Sequence, residues 1–281
     1  MSLRHRLSRH FAKSVFAGSL AAAAATGLVG AGLLPGAPAV AGATTQPGNV
    51  IGVYTGAANV AGVQADQSLL GHHINYVTEF LDPTSWSSME NIGWLTSAWS
   101  NKGYTMVWGV PMIPNTGGAT LAAGAAGSYN GYFKTLAQNL VAQGQASSII
   151  RPGWEFNGNW FPWKANGQAA SFTQYYRNIV NTMRSVPGQH FRFVWNFNPG
   201  WTLSGGTAAY YPGNAYVDYI AADIYSYAPF NWNTLLTEPN GLNFLASFAA
   251  QHAKPIAIPE WGLQPSNQSG AGDQPAFIND M

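Results

Sequence analysis

The chain contains no cysteine, and only 8% of its residues are charged. Without cysteine, disulfide scaffolds, thiolate metal sites and cysteine nucleophiles are excluded. Basic surface is scarce too. Of twelve Lys and Arg residues, Arg4, Arg6, Arg9 and Lys13 fall in the first thirteen positions, which leaves the remainder at a net charge of −3. Such a chain has no electrostatic footprint for nucleic acid or anionic membrane surfaces. Chemistry motifs are missing as well: no G-x-G-x-x-G lies at a strand–helix junction, and there is no Walker sequence, G-x-S-x-G elbow or H-E-x-x-H. Nucleotide chemistry, serine hydrolysis and zinc proteolysis are disfavoured on these grounds. No His/Asp cluster has metal spacing, so no metal and no cofactor is expected.

What is abundant is apolar and aromatic: 47% hydrophobic residues, with 11 Trp, 13 Tyr and 14 Phe among 281 residues. This composition belongs to a folded domain with more aromatic surface than a core requires. At the N-terminus a basic stretch ending at Lys13 runs into an apolar segment, 14–34, and then into Pro35-Gly36-Ala37-Pro38-Ala39-Val40-Ala41-Gly42-Ala43. Basic, apolar and small-residue regions in that order read as a secretory signal peptide over residues 1–42, cleaved near Ala41 or Ala43. The apolar run is also long enough for a membrane anchor, but it is rich in Ala and Gly rather than Leu and Ile. The expected product, residues 43–281, is one catalytic domain: secreted, free of membrane after cleavage, and monomeric.

Beyond the leader, apolar runs at 50–54, 74–80, 104–110, 148–155, 191–197, 216–225 and 255–261 alternate with helix-like stretches near 86–101, 129–143, 171–185 and 232–252. Alternation at this spacing predicts a parallel sheet covered by helices, doubly wound or closed as a barrel. Glu79, Glu155, Asn157, Asn196, Asn198, Asp223, Tyr225 and Glu260 collect at the C-terminal ends of the runs. A (β/α)8 TIM barrel gathers its catalytic groups at that rim.

Of the five glutamates after the leader, Glu90 and Glu238 belong to helices and are expected in solvent. Glu155 and Glu260 each end an apolar strand and are followed at once by aromatic and glycine residues. Hydrolysis of a glycosidic bond needs a proton donor on one side of the anomeric carbon and a carboxylate on the other. Flat aromatic faces also suit the C–H faces of sugar rings. A barrel spends roughly 31 residues per βα unit, so the interval from Glu155 to Glu260 fits three units and puts them on strands 4 and 7. The alternative is a pair of buried structural carboxylates, Glu155 with Arg151.

The segment Arg151-Pro152-Gly153-Trp154-Glu155-Phe156-Asn157-Gly158-Asn159-Trp160-Phe161-Pro162-Trp163, with Pro259-Glu260-Trp261-Gly262 further on, resembles glycoside hydrolase family 26. These are (β/α)8 enzymes, chiefly secreted endo-β-1,4-mannanases, with some β-1,3-xylanases and β-glucanases. The resemblance covers most of residues 48–281, and only the strand-4 motif is specific. It implies retaining hydrolysis through a covalent glycosyl-enzyme intermediate, with Glu155 as acid/base and Glu260 as nucleophile. It implies Trp160 against the sugar, and Tyr225 hydrogen-bonded to the nucleophile. Trp154, Asn157, Trp163, Asn196 and Trp261 complete the candidate substrate-binding set, with polysaccharide as the partner. Trp154 stands where the family carries His, which leaves β-glucan, β-1,3-xylan or a cell-envelope glycan as alternative substrates. A non-catalytic carbohydrate-binding barrel is the alternative in another class.

Asn198, Trp195 and Trp201 follow strand 5 and are weaker candidates for sugar subsites, as is Asp223. Arg151 is expected in a core ion pair. His73, and less so His72, are candidates to face the site, and Glu79 is a weak candidate for a supporting role there. Trp86, Trp94 and Trp99 have helix spacing and are expected to pack. Only 21 residues follow Glu260, fewer than one βα unit. The barrel is therefore expected to stop before or within its eighth unit, leaving strands 7 and 1 with bare edges.

Overall fold

The computed structural model describes residues 12–17 and 50–281. Eight parallel strands form a curled sheet: β2 (Val50–Tyr54), β3 (Tyr76–Phe80), β4 (Thr105–Val110), β5 (Ile149–Pro152), β6 (Arg192–Phe197), β7 (Tyr219–Ala222), β8 (Ile224–Ser226) and β9 (Ile256–Leu263). Strands β7 and β8 are consecutive, separated by Asp223, and both lie beside β9. Together they fill one barrel position, so the parallel strands supply seven positions of a (β/α)8 ring. The (β/α)8-type architecture expected from the sequence is the one observed, with seven parallel strand positions among the described residues.

One difference lies at the seam. The short strand β1 (Ala12–Ala17) runs antiparallel between β2 and β9, so both edges expected to be bare are paired. An open strand edge is a template for any extended segment, and here the chain supplies one. The rest of the proposed leader, and the domain boundary drawn at 42, lie outside the described residues. Among the described residues no helix is long and apolar enough to cross a membrane.

Helices cover the outside of the sheet. The predicted stretch 86–101 resolves into α2 (Trp86–Glu90) and α3 (Gly93–Trp99), and 232–252 into α7 (Trp232–Thr237) and α8 (Leu242–Gln251). The second break falls at Pro239-Asn240-Gly241, where Asn240 takes a left-handed φ of +60°. Two helices carry no strong sequence signal: α1 (Val60–Leu70), capped by the Asn59 side chain on the Gly62 N–H, and the five-residue α4 (Leu121–Ala125). The long α5 (Asn130–Ala142) and α6 (Ala169–Arg184) match the prediction to within two residues.

Strand side chains alternate between faces, and this places the site. Tyr76, Val107, Ile149, Val194, Ala221 and Ala257, one per strand, form a small buried cluster separate from the main core. They are the floor of the barrel interior. Two residues further along, pointing the same way, stand Thr78, Gly109, Arg151, Asn196 and Asp223; the four bearing a polar side chain are buried. The interior thus changes from apolar to polar in one step toward the C-terminal rim. On β9 the parity is reset. From the pair Ala221–Ala257 to the pair Ile224–Trp261, the β7–β8 side advances three residues and β9 four. The extra residue is a bulge, and Glu260 comes to face inward.

Glu79 has the opposite parity and points out of the barrel. Its Oε1 accepts from the Ala58 N–H at 2.7 Å and from Trp99 Nε1 at 2.6 Å, while Oε2 is buried without a partner. It therefore clamps the β2–α1 loop to α3 and does not meet Glu155 or Glu260. Burial pushes its pKa up to about 7, against the pull of the two N–H donors. A pKa raised from 4.5 means that the stability carried by its proton is complete below about pH 4.5 and is lost as pH rises through 7. Glu79→Gln is expected to match the parent in urea unfolding at about pH 4, below the unfolded-state pKa. At pH 8 it should exceed it by up to roughly 3 kcal/mol; equal stability at both pH values would show that burial does not raise the pKa of this carboxyl in the fold.

Candidate active site

Strand β5 ends earlier than its apolar run because the backbone turns left-handed twice, at Gly153 (φ +60°) and Glu155 (φ +53°). A side chain at Gly153 would collide with Met112. A left-handed Glu is unusual; here its N–H is tied to the Asn196 carbonyl across the strand pair at 3.0 Å. The double turn lifts the Glu155 carboxyl over the rim. Its Oε1 accepts from Asn198 Nδ2 at 2.6 Å and its Oε2 from Trp160 Nε1 at 2.8 Å. Trp160 can fold back this far because Gly158 lies under its ring, where any side chain would clash.

Glu260 is held differently. Its Oε1 accepts from an Arg151 terminal nitrogen at 2.9 Å and its Oε2 from the Tyr225 hydroxyl at 2.9 Å. The same Arg151 nitrogen binds Asp223 at 2.8 Å, and Arg151 Nε donates to Asn196 Oδ1 at 2.9 Å. The guanidinium is fully buried and lies 5.8 Å from the Phe80 ring centroid and 5.9 Å from that of Trp154. So Arg151 does make a core ion pair, but with Asp223 and Glu260 rather than with Glu155.

The two glutamates are thus brought to one place with unlike partners. Burial, and then the charge of Glu260, raise the Glu155 pKa to about 7; Trp160, Asn198 and Arg151 oppose this without cancelling it. The Tyr225 phenol is pushed well above its ordinary value by burial and by Glu260, so it remains a donor to that carboxylate.

The other candidates divide into rim and support. Asn157 is buried and makes no open surface. Its Nδ2 donates to the carbonyls of Asn198 (2.7 Å) and Trp201 (2.9 Å), and its Oδ1 accepts from the Asn198 N–H, which fixes the loop bearing Asn198. Asn196 is buried beneath, on Arg151. Trp154 is only 7% exposed, packed among Phe80, Phe161 and Trp163. Trp163 is buried behind it and donates to the Trp154 carbonyl at 2.8 Å. Trp261 is half-buried on β9 near Phe277.

Four weaker expectations differ from the structure. Trp195 is wholly buried and bonds the Tyr210 carbonyl at 3.1 Å, so it lines no subsite. His72 and His73 precede β3 at the N-terminal end of the barrel, opposite the carboxylates, and His73 stacks on Tyr104. Trp94 has helix spacing but is 57% exposed on α3. Glu90 and Glu238 are half-buried rather than solvated. Two residues near the site were not singled out in the sequence. Phe80 carries one face of Arg151. Tyr227, exposed at the rim, has its phenol raised to about 12 by burial and by the charges of Glu155, Glu260 and Asp223. Its signal was the alternation Tyr225-Ser226-Tyr227, which gives both tyrosines one facing.

A parallel (β/α)8-type barrel with two dissimilar carboxyls at its C-terminal rim defines the class of protein. The model of glycosyl hydrolase family 26 matches residues 95–249, more than half of the chain. The chain belongs to glycosyl hydrolase family 26. It is 29% identical over 167 residues to a mannan endo-1,4-beta-mannosidase of Bifidobacterium adolescentis, aligned over 53% of this chain and 17% of that protein. It is 30% identical over 149 residues to the mannan endo-1,4-beta-mannosidase of Bacillus subtilis strain 168, aligned over 50% of this chain and 37% of that protein. Endoglucanase H of Acetivibrio thermocellus is 27% identical over 196 residues, 66% of this chain and 20% of that protein. The chain thus spans well under half the length of these curated relatives. Among solved structures, GH26A from Muricauda sp. MAR_2010_75 has the same fold, with a TM-score of 0.52 at 18% identity over 72% of each chain. So does the beta-mannanase from a symbiotic protist of the termite Reticulitermes speratus, complexed with gluco-manno-oligosaccharide. It has a TM-score of 0.51 at 17% identity, covering 76% of this chain and 74% of that one.

Removing one partner of a buried ion pair leaves the others uncompensated, at a cost of roughly 3–5 kcal/mol. Arg151→Met should therefore lower stability in urea by about that amount; a loss below about 1 kcal/mol would mean that Asp223 and Glu260 accommodate its absence by protonation.

Proposed function

We propose that this chain is an endo-β-glycanase that hydrolyses β-1,4-mannan-type polysaccharide with retention of anomeric configuration. The observation that carries this reading is the unlike treatment of the two glutamates. Glu155 is bound only by neutral donors, and its raised pKa keeps a proton available near neutrality. Glu260 is bound by a guanidinium and a phenol, so a cation rather than neutral donors alone stands against its carboxyl. Pairs of carboxyls whose surroundings push them apart in this way divide into acid and nucleophile.

In the first step, Glu260 attacks the anomeric carbon while Glu155 gives its proton to the departing oxygen, and a glycosyl ester forms on Glu260. In the second, Glu155, now ionised, takes a proton from water. The water oxygen bonds to the same carbon and the Glu260 ester breaks, restoring both carboxyls. Tyr225 releases its hold on Glu260 Oε2 as negative charge leaves that oxygen. The names of two relatives support mannan as the polymer. A glucan reading has the third relative and the apolar Trp154 behind it. Secretion rests on the leader sequence and the polymeric substrate.

The reading is tested by reducing-sugar release from mannan, glucan and xylan. Release from mannan should fall by about 10²–10⁴-fold in Glu155→Gln and at least as far in Glu260→Gln. With an activated aryl β-mannoside, azide should restore Glu155→Gln and yield a β-glycosyl azide; an α-azide would mean that azide stands in for Glu155 on the face opposite the leaving group and would overturn the roles of both glutamates. Absence of release from every polymer, with sugar binding intact, would favour the binding-barrel reading.

The activity should also report the environment of Glu155. Since the acid must be protonated, kcat/KM should fall as pH rises through about 7. Asn198 favours the ionised carboxylate, so Asn198→Ala should move this alkaline limb to higher pH, by roughly one unit. A limb that stays in place would detach Asn198 from the titrating group.

A further inference from the structure

Two large aromatic side chains at the rim are exposed although their positions are fixed: Trp160 at 43% and Trp201 at 42%. They meet edge to face, with ring centroids 5.0 Å apart and planes at 81°. The backbone of Trp201 is pinned, since its carbonyl accepts from Asn157 Nδ2 at 2.9 Å and from Asn240 Nδ2. A pinned, half-exposed indole that covers no core of its own offers an apolar face to a ligand.

The direction of that face follows from the chain. Trp160 and Trp201 stand on the loops after the neighbouring strands β5 and β6, and Trp160 donates to Glu155. Glu260 and its partner Tyr225 stand further round the barrel, on β9 and β8. A sugar whose leaving oxygen takes the proton of Glu155 departs on the Glu155 side, over this corner of two indoles. We propose that Trp201 is the stacking platform for the leaving portion of the glycan, a residue that selects substrate on the aglycone side without taking part in bond making. The proposal rests on the hydrolase reading above and names a specificity residue for it.

The platform is tested by comparing a long manno-oligosaccharide with a β-mannobiosyl fluoride, whose leaving group is a single atom and has nothing to lay on an indole. In Trp201→Ala the Trp201 carbonyl, which Asn157 uses, is retained. The variant should lose tenfold or more in kcat/KM on the oligosaccharide, with the loss mainly in KM, and less than twofold on the fluoride. Trp201→Phe should recover most of the loss, and Trp94→Ala, exposed on α3, should behave as the parent. Equal losses on both substrates would overturn the platform and make Trp201 a support for Glu155 through Asn157 and Asn198. No loss on either would overturn it outright. If the parent enzyme turns over neither substrate, the hydrolase reading itself fails and the platform with it, an outcome distinct from the other two.

Discussion

The site is organised around one buried cation. Arg151 is wholly enclosed, and its guanidinium ties β5 to Asn196 on β6, to Asp223 between β7 and β8, and to Glu260 on β9. Four consecutive barrel positions are thereby joined above the apolar floor. Burying a charge is tolerable only when partners replace its water, and each partner here is a group that the site uses or rests on. Phe80 and Trp154 fill the remaining faces of the guanidinium. The position of Glu260 is therefore inseparable from the packing of the barrel interior.

Glu155 depends on Arg151 only at second remove. Its carboxyl is held by an indole and an amide, and those are held in turn by Gly158 beneath Trp160 and by Asn157 on the Asn198 loop. The arrangement sets two carboxyls of one site in different surroundings. One is balanced by charge, the other by burial and neutral donors.

Much of this was legible in the sequence because barrel strands have period two and a nearly constant repeat length. Seven apolar runs gave seven barrel positions, and the aromatic, glycine-rich frames around Glu155 and Glu260 marked the rim. What was not legible is tertiary. Trp154, Trp163 and Trp195 look like ligand-binding aromatics by composition, but they are consumed in packing, and no pattern in the sequence separates a buried indole from an exposed one at a strand end. The partner of Arg151 depended on the bulge in β9, a one-residue shift of parity that apolar spacing does not record. Glu79 shares a strand end with the site residues, yet its parity sends it to the helix layer. Pairing of the seam by Ala12–Ala17 was invisible for another reason: basic and apolar residues in that order read first as an export signal.

The left-handed backbone at Glu155 has a consequence for how such a barrel ages. At φ +53° the preferred residues are glycine and asparagine, and neither can deliver a proton to a glycosidic oxygen. The fold and the chemistry want different amino acids at this one position. Residues kept against their backbone's preference at functional sites lower the stability of the native state. A lineage released from selection for hydrolysis would gain stability by losing Glu155, most readily to asparagine, and the barrel would outlast its chemistry. On the proposed mechanism, glutamate is kept at this position against the preference of its own backbone.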